Sequence, residues 1–137
     1  MKGLKVGEVA RRASVNLQTV HYYEREGLVP RPPRTASNYR MYTKDAVRRV
    51  RFIKRAQELG FTLKEIKELL SLRATPRARC ADVYKRAEVK IQDIDGKVRT
   101  LRAMRKALSS LMSECVGRSP VSECPILGAL ASERKKP

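Results

Sequence analysis

KVGEVARRASVNLQTVHYYEREGL, residues 5–28, is the stretch on which the fold turns. Val6, Val9, Ala10 and Ala13 keep the i, i+3, i+4, i+7 spacing of one helical face. Residues 14–16, Ser-Val-Asn, break that spacing, and a second helix opens at Leu17 with Asn16 as its N-cap and Gly27 as its stop. The stretch therefore reads as two short helices around a tight turn.

The segment that follows, VPRPPRTASNYRMYT (29–43), cannot continue the helix through Pro30, Pro32 and Pro33. The alternation in YRMY (39–42) predicts an extended loop or small hairpin there. From Thr43, the residues Ala46, Val47, Val50, Ile53, Ala56 and Leu59 mark a third helix, closed by Gly60. TLKE (62–65) is a capping box for a fourth helix, which carries Leu63, Ile66 and Leu70. One small core is expected from these four helices.

Beyond it, Tyr84, Ala87, Ile91, Ile94, Val98, Leu101, Leu108 and Met112 step by three and four, with Arg105 the one misfit. This is a heptad seam of about four repeats, the pattern of a two-stranded coiled coil. A narrow stripe of this length suits a partner helix better than folding back on the N-terminal core, which is the alternative. Counting by sevens, Cys80 and Cys115 continue the seam at its two ends, about 50 Å apart at 1.5 Å per residue. Two such helices lying antiparallel would bring Cys80 of one chain beside Cys115 of the other, twice per dimer. A loop of eight residues leads from Cys115 to Cys124, where Pro125 opens a short helix and free N–H groups suit a negatively charged sulfur. Three thiolates from two chains fit a soft metal ion, while the single histidine, His21, lies in the N-terminal pair of helices. Buried filler is the other reading of these cysteines.

The charge balance points to a polyanionic partner. Thirty-one Lys and Arg oppose fourteen Asp and Glu, a formal +17 spread over both halves of the chain. A run of eighteen apolar residues and a secretory signal are both missing from the sequence, so a cytoplasmic protein without a membrane partner is expected. Paired acids, a nucleophile beside a base, and a glycine-rich phosphate loop are likewise missing, so no catalytic residues and no enzyme activity are expected.

Over residues 4–70 the chain resembles the DNA-binding domain of the MerR family of bacterial transcription regulators, through TVHYYEREGL (19–28), YRMY (39–42) and QELGFTLKEI (57–66). The pattern of Cys80, long helix, Cys115, loop and CPI (124–126) is similar to the mercury-responsive members of that family. The resemblance implies a mainly α chain in three parts. They are a winged helix-turn-helix DNA-binding domain (1–72), a linker and antiparallel coiled-coil dimerisation helix (73–114), and a metal-binding loop with a short C-terminal helix (115–137). It implies a homodimer on double-stranded promoter DNA with RNA polymerase, and Hg(II) as the effector. The metal would be held by Cys80 of one chain with Cys115 and Cys124 of the other, and would distort the promoter into an active form. A sensor of Cd(II), Pb(II) or Zn(II), or of thiol oxidation, is the alternative on the same fold. By resemblance, Gln18, Thr19, His21 and Tyr22 face the major groove or its flanking phosphates, and Arg40 and Tyr42 on the wing grip the backbone. His21 departs from the family, which usually has Arg at this position. Of the adjacent tyrosines, Tyr23 is expected to pack inward.

Overall fold

The computed structural model describes residues 3–115, 117, 118 and 120–132. Helix α1 (Val6–Arg12) carries Glu8 in its first turn and Arg11 and Arg12 in its last, the signs that complement a helix dipole. Ser14, at φ 58°, then turns the chain through the left-handed region. Helix α2 (Leu17–Arg25) begins at Asn16, whose Oδ1 accepts the Thr19 N–H at 2.8 Å. It ends before Gly27, where φ is +77°. After that turn the Leu28 N–H bonds back to the Tyr23 carbonyl at 2.9 Å, and Leu28 and Val29 drop into the core.

The wing, residues 29–43, has isolated antiparallel bridges in place of regular strands: Leu4 with Tyr42, and Arg34 with Arg40. Asn38, at φ 66°, makes the turn between Arg34 and Arg40. This is the small hairpin expected of the segment.

Helix α3 (Lys44–Glu58) buries Val47, Val50, Ile53 and Ala56. Its basic face has a structural task. Arg51 Nη2 donates to the Arg12 carbonyl at 2.8 Å, Lys54 Nζ to the Ser14 carbonyl at 2.8 Å, and Arg49 Nε to the Leu28 carbonyl. Each carbonyl lies where α1 or α2 has ended and no backbone N–H follows to bond it. Leu59 differs from expectation: it falls at the C-cap of α3 and lies exposed. Gly60, at φ +94°, then redirects the chain. Helix α4 (Leu63–Arg73) opens on a complete capping box, with Glu65 N–H to Thr62 Oγ1 at 3.2 Å and Thr62 N–H to Glu65 Oε1 at 2.8 Å. Ile66 and Leu70 complete the core with Val9, Val20 and Tyr23.

Helix α5 runs without a break from Cys80 to Ser113, through Gly96. The Asp82 carboxylate accepts the Arg79 N–H at 2.8 Å and so secures its start. The chain divides into two units, Met1–Lys90 and Ile91–Pro137. The first turns of α5 belong to the former because Lys90 meets Glu65 at 2.8 Å and Arg86 pairs with Glu68, both on α4. Along the seam, Tyr84, Ile91, Ile94, Val98, Leu101, Leu108 and Met112 are all exposed in the single chain. Helix α6 (Pro125–Ala131) has Cys124 as N-cap and Pro125 at its first position, as expected. No helix among the described residues is long and apolar enough to cross a membrane.

Candidate nucleic-acid interface and thiol site

The outward face of α2 is built on a buried acid. Glu24 is 8% exposed, and its carboxylate receives the Tyr42 hydroxyl at 3.0 Å and His21 Nδ1 at 3.2 Å on Oε1, with Arg31 Nε at 3.3 Å on Oε2. Three donors around one acid suit an ionised carboxylate, which can accept all of them. The cluster therefore ties α2 to the wing. Gln18 and Tyr22 are exposed on the same helix, and the Arg25 guanidinium lies 5.9 Å from the Tyr22 ring. Thr19 is half-buried, with its hydroxyl donating to Asn16 Oδ1 at 2.9 Å, so it serves the cap. Tyr23 packs inward as expected and donates to Gln57 Oε1 at 2.6 Å; burial, before the nearby Glu58 charge, raises its phenol.

On the wing, Arg40 is half-buried and donates to the Pro32 carbonyl. Tyr42 departs from its expected place. It is 3% exposed, and burial followed by its hydrogen bond to Glu24 pushes the phenol up to about 12. A phenol so enclosed is a strut of the fold and not a group displayed to DNA. The exposed aromatic is Tyr39, 54% accessible, with Lys5 Nζ 4.4 Å above its ring. Sequence reasoning passed over it, although alternation places residues 39 and 41 opposite 40 and 42. The backbone bridge to Leu4 decides that the 42 side faces the core.

The three cysteines are free thiols. Cys80 is the exposed first residue of α5 and borders an open apolar groove of about 610 Å³ shared with Phe52, Leu59, Leu72 and Val83. Cys115 is exposed just past the end of α5, its N–H bonded to the Met112 carbonyl at 3.0 Å. Cys124 is half-buried at the cap of α6, its N–H bonded to the Val121 carbonyl at 3.1 Å. The loop expected between them includes a 3-10 turn, Val121–Glu123, while residues 116 and 119 lie outside the described residues. Among the described residues of one chain, no three cysteine, histidine or acidic side chains gather as a metal site. The residues expected to meet DNA all lie in the first unit, and the thiols are distributed along the chain.

Comparison with known proteins agrees with this architecture. Residues 4–72 match the family of MerR helix-turn-helix regulatory proteins, and residues 47–111 match a second MerR family described as DNA binding. The mercuric resistance operon regulatory protein of Bacillus cereus is 44% identical over 126 residues, covering 92% of this chain and 96% of that protein. Among solved structures, the transcription regulator PbrR691 from Ralstonia metallidurans CH34, in complex with lead(II), superimposes with a TM-score of 0.83 at 37% identity. It covers 93% of this chain and 99% of that one. MerR from Bacillus megaterium MB1, in complex with mercury(II), does so with a TM-score of 0.73 at 39% identity, over 94% and 100%. The helix-turn-helix, the wing and the long fifth helix are thus found together in relatives spanning nearly the whole chain, which belongs to the MerR family of helix-turn-helix regulatory proteins and is a regulator rather than an enzyme.

Proposed function

We propose that this chain is a homodimeric, metal-responsive regulator of a mercury-resistance promoter, activating transcription with RNA polymerase by distorting the promoter when metal is bound. Residues 1–72 are the DNA-binding domain, 73–114 the dimerisation segment and 115–137 the effector-binding end. Gln18, Thr19, His21, Tyr22 and Arg40 are the contacts to DNA, with the exposed Tyr39, in place of the buried Tyr42, as the aromatic of the wing that meets the backbone. Hg(II) is bound by Cys80 of one chain with Cys115 and Cys124 of the second. The observation that carries this reading is the arrangement along the chain: one free thiol at the first residue of α5, one just past its end, one at the cap of α6, and an exposed apolar seam between the first two. Three sulfur donors match the preference of a soft cation. Similarity to a mercuric resistance regulator favours Hg(II), and similarity to a lead(II)-bound regulator supports the second reading, a sensor of Pb(II) or of Cd(II) or Zn(II).

The shared site is tested by mixing a Cys80→Ser chain with a Cys115→Ser, Cys124→Ser chain. Each homodimer lacks a complete set of three thiols at either end. The purified heterodimer should recover tight Hg(II) binding at one equivalent per dimer in competing thiol, because the intact Cys80 of one chain meets the intact pair of the other. A folded heterodimer that stays empty rules out the inter-chain site. The same titration with Pb(II), Cd(II) and Zn(II) decides between the two readings.

A further inference from the structure

His21 stands on the recognition helix in a setting that ties the charge of its outer edge to pH. Its Nδ1 lies 3.2 Å from Glu24 Oε1, whose other donors are the Tyr42 hydroxyl and, on Oε2, Arg31. Facing a carboxylate, Nδ1 must carry a proton in both charge states of the ring. The neutral ring then has a bare acceptor at Nε2, and the protonated ring has an N–H donor there. Among the described residues Nε2 has no partner, and 45% of the side chain is accessible.

We propose that His21 is a pH-gated phosphate contact: in acid its Nε2–H grips the DNA backbone, and above neutrality its bare nitrogen repels the same oxygen. The inference rests on the proposed reading of α2 as the helix that meets DNA. The charged and titratable groups about the ring are Glu24 of its own helix, with Arg25 one turn further along it, Arg31 and Tyr42 of the wing, and, through Tyr42, Arg40. Glu24 fixes Nδ1 as the donor, the Tyr42 phenol stays protonated and holds Glu24 in place, and Arg31 engages the opposite carboxylate oxygen. His21 is the single histidine of the chain, so no second imidazole blurs the readout.

Proton uptake that adds one phosphate contact should steepen the dependence of log K on log salt by about one. The test uses the full-length protein and the duplex that it selects best from a random pool, with affinity measured against salt at about pH 5.5 and about pH 7.5, within the range where histidine changes charge. The wild-type slope should be steeper by about one at the lower pH. His21→Arg should be steep at both values, and His21→Gln shallow at both. Equal wild-type slopes on a bound duplex, or a pH dependence that survives in His21→Gln, would overturn the proposal. Failure to select any duplex would instead refute the DNA-binding assignment of α2.

Discussion

Removing the Glu24 carboxylate should change the sign of what a second, adjacent substitution does. In the wild type, Tyr42→Phe deletes a hydroxyl that donates at 3.0 Å to an enclosed carboxylate. A hydrogen bond to a charged group contributes about 1.5–3 kcal/mol, so this is the expected loss. Glu24→Ala removes the acceptor. It leaves the Tyr42 hydroxyl, on a residue 3% exposed, without its partner, at a cost of about 1–3 kcal/mol. The bonds to His21 and Arg31, whose side chains are about half accessible, add no more than about 1 kcal/mol each once solvent screening is allowed for. Glu24→Ala should therefore destabilise by about 1–5 kcal/mol in sum. In that background Tyr42→Phe removes an orphaned donor and should be neutral or stabilising. The two sites then couple by at least about 1.5 kcal/mol. The assay is urea unfolding followed by far-ultraviolet circular dichroism at one fixed protein concentration, with m unchanged among the four proteins. If Tyr42→Phe costs the same in both backgrounds, the hydroxyl does not depend on Glu24 and the account of the cluster is wrong.

The bond from Lys90, followed by the backbone of Thr62, holds the Glu65 carboxyl at about 2, below its ordinary 4.5. A depressed carboxyl contributes stability that is fully present above its unfolded value and disappears as pH falls through its folded one. The stability difference between wild type and Glu65→Gln should thus be constant above about pH 4.5 and shrink toward about pH 2 in acid titration of chemical unfolding; a difference that grows in acid would contradict it. At the seam, Leu101→Glu places a carboxylate on an exposed apolar position expected to meet a partner helix. Sedimentation should show a shift to monomer with the helix content of the N-terminal unit retained, whereas an unchanged dimer would place the interface elsewhere.

Much of the architecture lay within reach of short-range reading. The Asn16 cap, the Thr62–Glu65 box and the turns at Gly27 and Gly60 each depend on groups within a few residues of one another, so their partners are adjacent in sequence. The break between α1 and α2 and the unbroken length of α5 follow in the same way from apolar spacing, since 3.6-residue periodicity is a property of one helix alone. Tertiary structure decided which side of each element was covered. Alternation in YRMY separates Tyr39 from Tyr42, but only the bridge to Leu4 and the acid eighteen residues upstream select Tyr42 as the buried one. Arg49, Arg51 and Lys54 read as part of a general positive charge, yet they close carbonyls at or just past the ends of α1 and α2, twenty to forty residues earlier in the chain. Glu24 passes for one more exposed acid of an amphipathic helix until the wing folds over it, because a buried charge is defined by the donors that surround it, and two of its three, Arg31 and Tyr42, come from the wing.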